Sequence, residues 1–178
     1  VPNLVKGLGG IDPTKRALEW FREACVRAGL QGLHLQFTHW NDKLTNLSSV
    51  DGTKNVAAES FGDLGFDSCT HYQFVHFTDI SRPYNAVLSD VAREWASIEK
   101  KMPFPYFPHV SLGWDNNPRF IQRRSDVMSD CTPENIERAL RMAKDYVDRH
   151  PQQPPLITVN SWNEWTETSY LEPDDLYG

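Results

Sequence analysis

The chain has 178 residues, 39% of them hydrophobic and 12% aromatic, a composition that builds a core rather than staying disordered. Lys and Arg number 18 against 24 for Asp and Glu, and the formal net charge of −6 speaks against nucleic acid or an anionic membrane as partner. The basic run "RFIQRRSD" at 119–126 is too short for a nucleic-acid patch. Cys25, Cys69 and Cys131 are widely spaced with no CxxC pair, so neither a disulfide framework nor a zinc ribbon is expected. No apolar run approaches the length of a membrane span, so no insertion is expected.

In chain order, "GLGG" at 7–10 reads as a turn. "DPTKRALEWFREACVRAG" reads as a helix with Asp12 as N-cap, Pro13 at the first helical position and Gly29 as stop. Its inward stripe is expected at Ala17, Trp20, Phe21, Ala24 and Ala28. A strand follows near 31–38, then a short helix near 54–63 and a strand near 66–72. The third helix spans about 85–100, with Val87, Val91, Trp95 and Ile98 inward, and leads through "MPFPYFP" into a strand near 108–114. Thr132 and Pro133 open the fourth helix, whose expected inward face is Ile136, Leu140, Ala143 and Val147; the last strand lies near 156–162.

Alternating helices and strands imply a parallel sheet. The strands carry one apolar and one polar face: Leu33, Leu35 and Phe37 oppose His34, Gln36 and Thr38, and Val110 and Leu112 oppose His109 and Ser111. Thr158, Asn160 and Trp162 likewise oppose Ile157 and Val159. A doubly wound sheet, covered on both faces, would be apolar on both. One polar face suits the inside of a (β/α)8 barrel near its mouth. Four strands do not close such a barrel. The reading is therefore the C-terminal half of a (β/α)8 TIM-type barrel, residues 1–178 forming part of one catalytic domain with no internal boundary. The N-terminal half is expected in a longer chain.

Trp40, Trp114, Trp162 and Trp165 fall at or just beyond strand ends, where a barrel's active-site mouth lies. The same ends carry His39, Asn41 and Asp42; His71, Tyr72 and His76; Asp115, Asn116 and Arg119; and Asn163, Glu164 and Glu167. Flat aromatic faces and hydrogen-bonding side chains together suit a sugar. The histidines lack the spacing of a zincin helix, so no metal is expected, and no cofactor motif occurs. Glu164 and Glu167 form a carboxyl pair three residues apart, flanked by two indoles. Glycosidic cleavage generally needs two carboxyl groups, and apolar walls would raise the pKa of the one that donates the proton. An acidic helical turn placed by the helix dipole accounts for the same spelling, and spacing alone leaves both readings open.

"NSWNEWTETSYLEPDDLYG" at 160–178 resembles the terminal-strand motif of the family 99 glycoside hydrolases and their WbsX-like relatives, close to N-E-W-x-E-G-x-x-L-E-P-D. "GWDNNPR" at 113–119 and "LGFDSCTHYQFVHF" at 64–77 resemble two further segments of those relatives. The resemblance implies a (β/α)8 barrel and, in the hydrolase branch, retaining cleavage of an α-linked sugar such as a mannoside. Glu164 would then act as base on the sugar's 2-hydroxyl, and Glu167 as general acid and then base. Trp40, His71, Tyr72, Trp114, Asp115, Arg119, Asn163 and Trp165 would contact the sugar. Thr168 stands where the relatives have Gly, so a loop without a positive φ is expected there.

The function expected is a glycoside hydrolase with a carbohydrate substrate. The alternatives are a WbsX-like glycosyltransferase of polysaccharide biosynthesis and a non-catalytic carbohydrate-binding barrel. The chain begins at Val1 rather than Met, so this end says nothing about export. A hydrolase of this kind would be expected in the periplasm or outside the cell.

Overall fold

The computed structural model describes residues 2–39 and 62–177. They form an α/β structure: helix α1 (Pro2–Gly7), helix α2 (Ile11–Arg27), strands β1 (Gln36–His39) and β2 (Ser68–His71), helix α3 (Tyr84–Lys101), strand β3 (His109–Ser111), helix α4 (Pro133–Asp148), strand β4 (Thr158–Asn160), and a hairpin of β5 (Asn163–Glu164) and β6 (Ser169–Tyr170). Single 3-10 turns lie at Phe74–His76, Asn117–Arg119 and Trp165–Glu167. The short helix expected over 54–63 falls mainly outside the described residues. The chain divides into two compact units, Val1–Thr70 with Ser97–Tyr106, and His71–Ala96 with Phe107–Gly178.

In the first unit β1 pairs with β2, and Cys69 of β2 makes a parallel bridge to Tyr106. Gly9 and Gly10 take φ of 85° and 121°, so the expected "GLGG" turn joins α1 to α2. That turn moves the helix start: Gly10, not Asp12, is the N-cap of α2, and Asp12 lies in its first turn. The expected apolar stripe is also corrected. Thr14 and Leu18 are the buried residues, and Arg22 continues their i, i+4 line. Its guanidinium donates to the Leu33 carbonyl at 2.6 Å and pairs with Asp67 at 2.8 Å. Because these tethers turn that line inward, Trp20 and Phe21 stay 56% and 51% exposed, edge to face with each other.

In the second unit β3 and β4 run parallel, His109 against Thr158 and Ser111 against Asn160. In β3 both faces are buried, His109 and Ser111 on the polar one and Val110 on the apolar one, whereas in β4 the polar Asn160 is buried and Val159 on the apolar face is exposed. The buried polar atoms satisfy one another, as they must away from water. His109 bonds Thr158 Oγ1 at 3.0 Å and Ser111 Oγ at 3.2 Å, and the Phe74 amide donates to Ser111 Oγ at 2.9 Å. Burial holds the His109 imidazole down to about 3, with His71 and His76 adding to it, so it packs as a neutral ring.

Val87, Val91 and Trp95 of α3 are buried as the sequence indicates, and Trp95 meets Tyr146 edge-on at 5.8 Å. The Thr132 hydroxyl caps α4, accepting from the Asn135 amide at 3.4 Å. The buried face of α4 is Ala139, Ala143 and Tyr146, so the expected inward Leu140 lies exposed at its margin. Two alanines let the helix approach closely while Tyr146 supplies the volume. The described residues contain no closed barrel; their paired parallel strands and flanking helices are compatible with part of one.

Candidate functional site

The site lies wholly in the second unit, where the segments after β2, β3 and β4 each supply a polar side chain. After β4 the backbone passes a cis Asn160–Ser161 peptide and folds into the β5–β6 hairpin, with Asn163 opposite Tyr170 and Glu164 opposite Ser169. The 3-10 turn between those strands carries Trp165, Thr166 and Glu167. Alternation across this tight hairpin separates its aromatic from its acidic residues. Trp162 is 61% exposed, and Trp165 stacks on Tyr170 at 3.7 Å with its indole N–H on Glu172. Glu167 turns the other way and is 6% exposed.

The carboxyl pair is therefore not held between indoles, as the sequence suggests, but on an arginine. Arg119 donates from Nη1 to Glu167 Oε1 at 2.6 Å, from Nη2 to Glu164 Oε1 at 2.7 Å and from Nε to Thr166 Oγ1 at 2.8 Å. A guanidinium presents its donors in a fixed planar fork, so it brings both carboxylates to one place. The second oxygen of Glu167 accepts from Gln73 Nε2 at 2.8 Å. Backbone bonds fix the loops to one another: the Asp115 amide donates to the Glu167 carbonyl at 2.8 Å, and the Ser169 hydroxyl to the Asn160 carbonyl at 2.9 Å.

Thr168 resolves the question raised by its missing glycine. It adopts φ 52° and ψ 38°, so the loop keeps the left-handed conformation that the sequence led us not to expect. Its hydroxyl donates to the Asp115 carbonyl at 3.3 Å, which helps offset the strain of a β-branched residue there. Its own carbonyl occupies the space where a Cβ on Gly113 would be, at 2.4 Å. The glycine that this loop requires is thus Gly113.

The remaining expected residues divide. Tyr72 borders the carboxylates: burial raises its phenol pKa, as do Glu167 and Glu164, against a hydrogen bond to Asn160 and the charge of Arg119. His76 stacks on Tyr72 at 5.6 Å and meets the Trp114 ring edge-on at 6.2 Å; burial lowers its pKa to about 4. Trp114 is buried, and His71 is sealed between Phe77, at 4.1 Å, and Glu94, at 3.7 Å. Asp115 accepts from the backbone and side chain of Asn117 and shapes its loop. Asn163 is exposed on β5, opposite Tyr170. Trp40, with Asn41 and Asp42, lies outside the described residues. Among the described residues no three His, Cys, Asp or Glu side chains converge as metal ligands.

Gln73 is the member that sequence reasoning did not single out. One glutamine in a loop carries no local signal, and only the fold brings it to Glu167.

The chain is similar, at 25% identity over 179 residues, to the uncharacterized protein WxcX of Xanthomonas campestris pv. campestris, in each of two strains. The similarity covers 94% of this chain but 23% of WxcX, so the chain spans about a quarter of the length of the curated relatives it matches. No solved structure is matched. The family model described as "Glycosyltransferase WbsX" matches residues 9–178, reaching from the turn before α2 through the carboxylate hairpin. With nearly the whole chain matched, this protein belongs to the WbsX glycosyltransferase family, a family of carbohydrate-active proteins.

Proposed function

We propose that the chain carries the working carboxylates of an enzyme that breaks an α-linked glycosidic bond, mannoside-like or of a related polysaccharide, with retention of configuration. One observation supports this reading most. Glu164 and Glu167 meet on a single guanidinium, one half-open and one buried. The half-open Glu164 takes the proton of the sugar's 2-hydroxyl, whose oxygen attacks the anomeric carbon. Glu167 protonates the leaving oxygen, and then removes a proton from the water that attacks the anomeric carbon, while Glu164 returns its proton to the 2-oxygen as its bond to that carbon breaks. Trp165, stacked on Tyr170, presents a fixed aromatic face for a sugar ring.

Arg119 compensates both carboxylates. An entering sugar displaces the guanidinium from Glu167 and brings the leaving oxygen against Oε1 in its place. The test is Glu167→Gln in the full-length protein, acting on an α-linked oligosaccharide whose leaving sugar needs protonation. Turnover should fall by about 10²–10⁴-fold with binding retained. Unchanged turnover removes the reading.

A second reading, transfer of the sugar to an acceptor hydroxyl, is favoured by the family's description. It also suits two carboxyl groups paired on Arg119 beside an open face, where an acceptor hydroxyl could be activated. Release of a sugar carrier together with a lengthened saccharide would mark it; hydrolysis yields neither.

A further inference from the structure

Glu167 is gripped from two sides that differ in kind. Arg119 reaches Oε1 with a side chain that is 41% exposed, whereas Gln73, with no exposed surface, reaches Oε2 from within the core. The Gln73 carbonyl Oε1 is buried and has no hydrogen-bond partner among the described residues. An unpaired buried amide oxygen costs about 1–3 kcal/mol, and native cores rarely keep one without a reason. The reason is in the chemistry of the amide. Only its NH2 can face an ionised carboxylate, so aiming the donor at Glu167 leaves the oxygen behind, unpaired.

We propose that Gln73 is the positioning residue for Glu167. It fixes Oε2 and so makes Oε1, the oxygen on the Arg119 side, the one that exchanges the proton. The geometry separates the two oxygens by access. A sugar that displaces the exposed guanidinium meets Oε1, while Oε2 stays covered by a side chain that has no room to leave.

The inference rests on the catalytic role proposed for Glu167, and the test separates the two. Gln73→Met keeps the length of the side chain and removes the donor. Gln73→Glu keeps the shape and replaces the donor with a second carboxyl. Both are made in the full-length protein and followed as kcat and KM against pH. In Gln73→Met, kcat is expected to fall about tenfold to a hundredfold with KM little changed. The alkaline limb of the profile should also shift from its wild-type position, because the proton-exchanging oxygen is no longer singled out. Gln73→Glu, which sets a second carboxyl beside the first, should shift that limb too. If Met does not support folding, the Glu variant alone decides, through the limb. An unmoved limb, or a change confined to KM, overturns the inference while leaving the reading of Glu167 intact. Full turnover in Glu167→Gln overturns both.

Discussion

The hairpin after β4 has two sides built from one short stretch of chain, and they differ in what holds them. On the carboxylate side, Glu167 is buried and tied to Arg119 and Gln73, residues distant in sequence. On the indole side, Trp162 is open to solvent and Trp165 is held by its near neighbours Tyr170 and Glu172. The difference teaches that adjacency in sequence does not make an environment. Two indoles beside two glutamates suggest apolar walls that would raise a pKa, yet the hairpin sends the rings outward and the carboxylates to an arginine. A disruption of the inner side should therefore cost chemistry and stability together, and one of the outer side only contact with ligand.

The loss of turnover in Glu167→Gln is the largest effect expected on the inner side. Next comes Gly113→Ala. Its Cβ would stand 2.4 Å from the Thr168 carbonyl, a backbone atom, so the hairpin must move. A cost of about 1–3 kcal/mol in chemical denaturation is expected, together with loss of activity through the displaced Glu167. Wild-type stability in this variant would mean that the hairpin is not fixed by that contact.

Arg119→Met leaves a buried carboxylate with Gln73 as its remaining side-chain donor. The guanidinium is partly exposed, so the expected cost is about 2 kcal/mol, between the values for buried and surface pairs. The loss should be largest at low ionic strength and shrink in high salt, since the guanidinium is partly exposed to screening. A salt-independent loss would point to packing of the arginine stem instead.

Acid should find the buried histidines. The pKa of His109 is lowered to about 3 and that of His76 to about 4, from an ordinary 6.5. Below pH 6.5 the unfolded chain binds protons that the folded one refuses, so their contribution is complete above 6.5 and is lost as pH falls toward 4. A thermal midpoint flat between pH 6.5 and 4 would contradict the burial of these rings. The smallest effect expected is that of Trp162→Ala: stability within about 0.5 kcal/mol of wild type, as for other exposed positions, and at most weaker sugar binding. A large destabilisation would erase the distinction between the two sides.

Much of this was open to sequence reading. The α3 stripe of Val87, Val91 and Trp95, the Thr132 cap and the four strand positions follow from local periodicity and capping chemistry, which act over a few residues. The stripe of α2 did not follow, because the Arg22 tethers to Leu33 and Asp67 choose its inward line and no spacing records them. The same holds for α4, where close approach selects Ala139 and Ala143 over Leu140.

At the site, the sequence by itself determined which groups exist: a carboxyl pair three residues apart, an arginine beyond β3, tyrosine and histidine beyond β2. Side-chain chemistry and family motif are local properties of the chain. Only the tertiary structure decided which of them meet. It placed Glu167 inside and Trp162 outside, kept Thr168 left-handed over the bare backbone of Gly113, and brought Gln73 across 94 positions to the buried oxygen. A hydrogen bond between distant residues is fixed by the packing of whole elements, and no stretch of sequence shorter than those elements contains it.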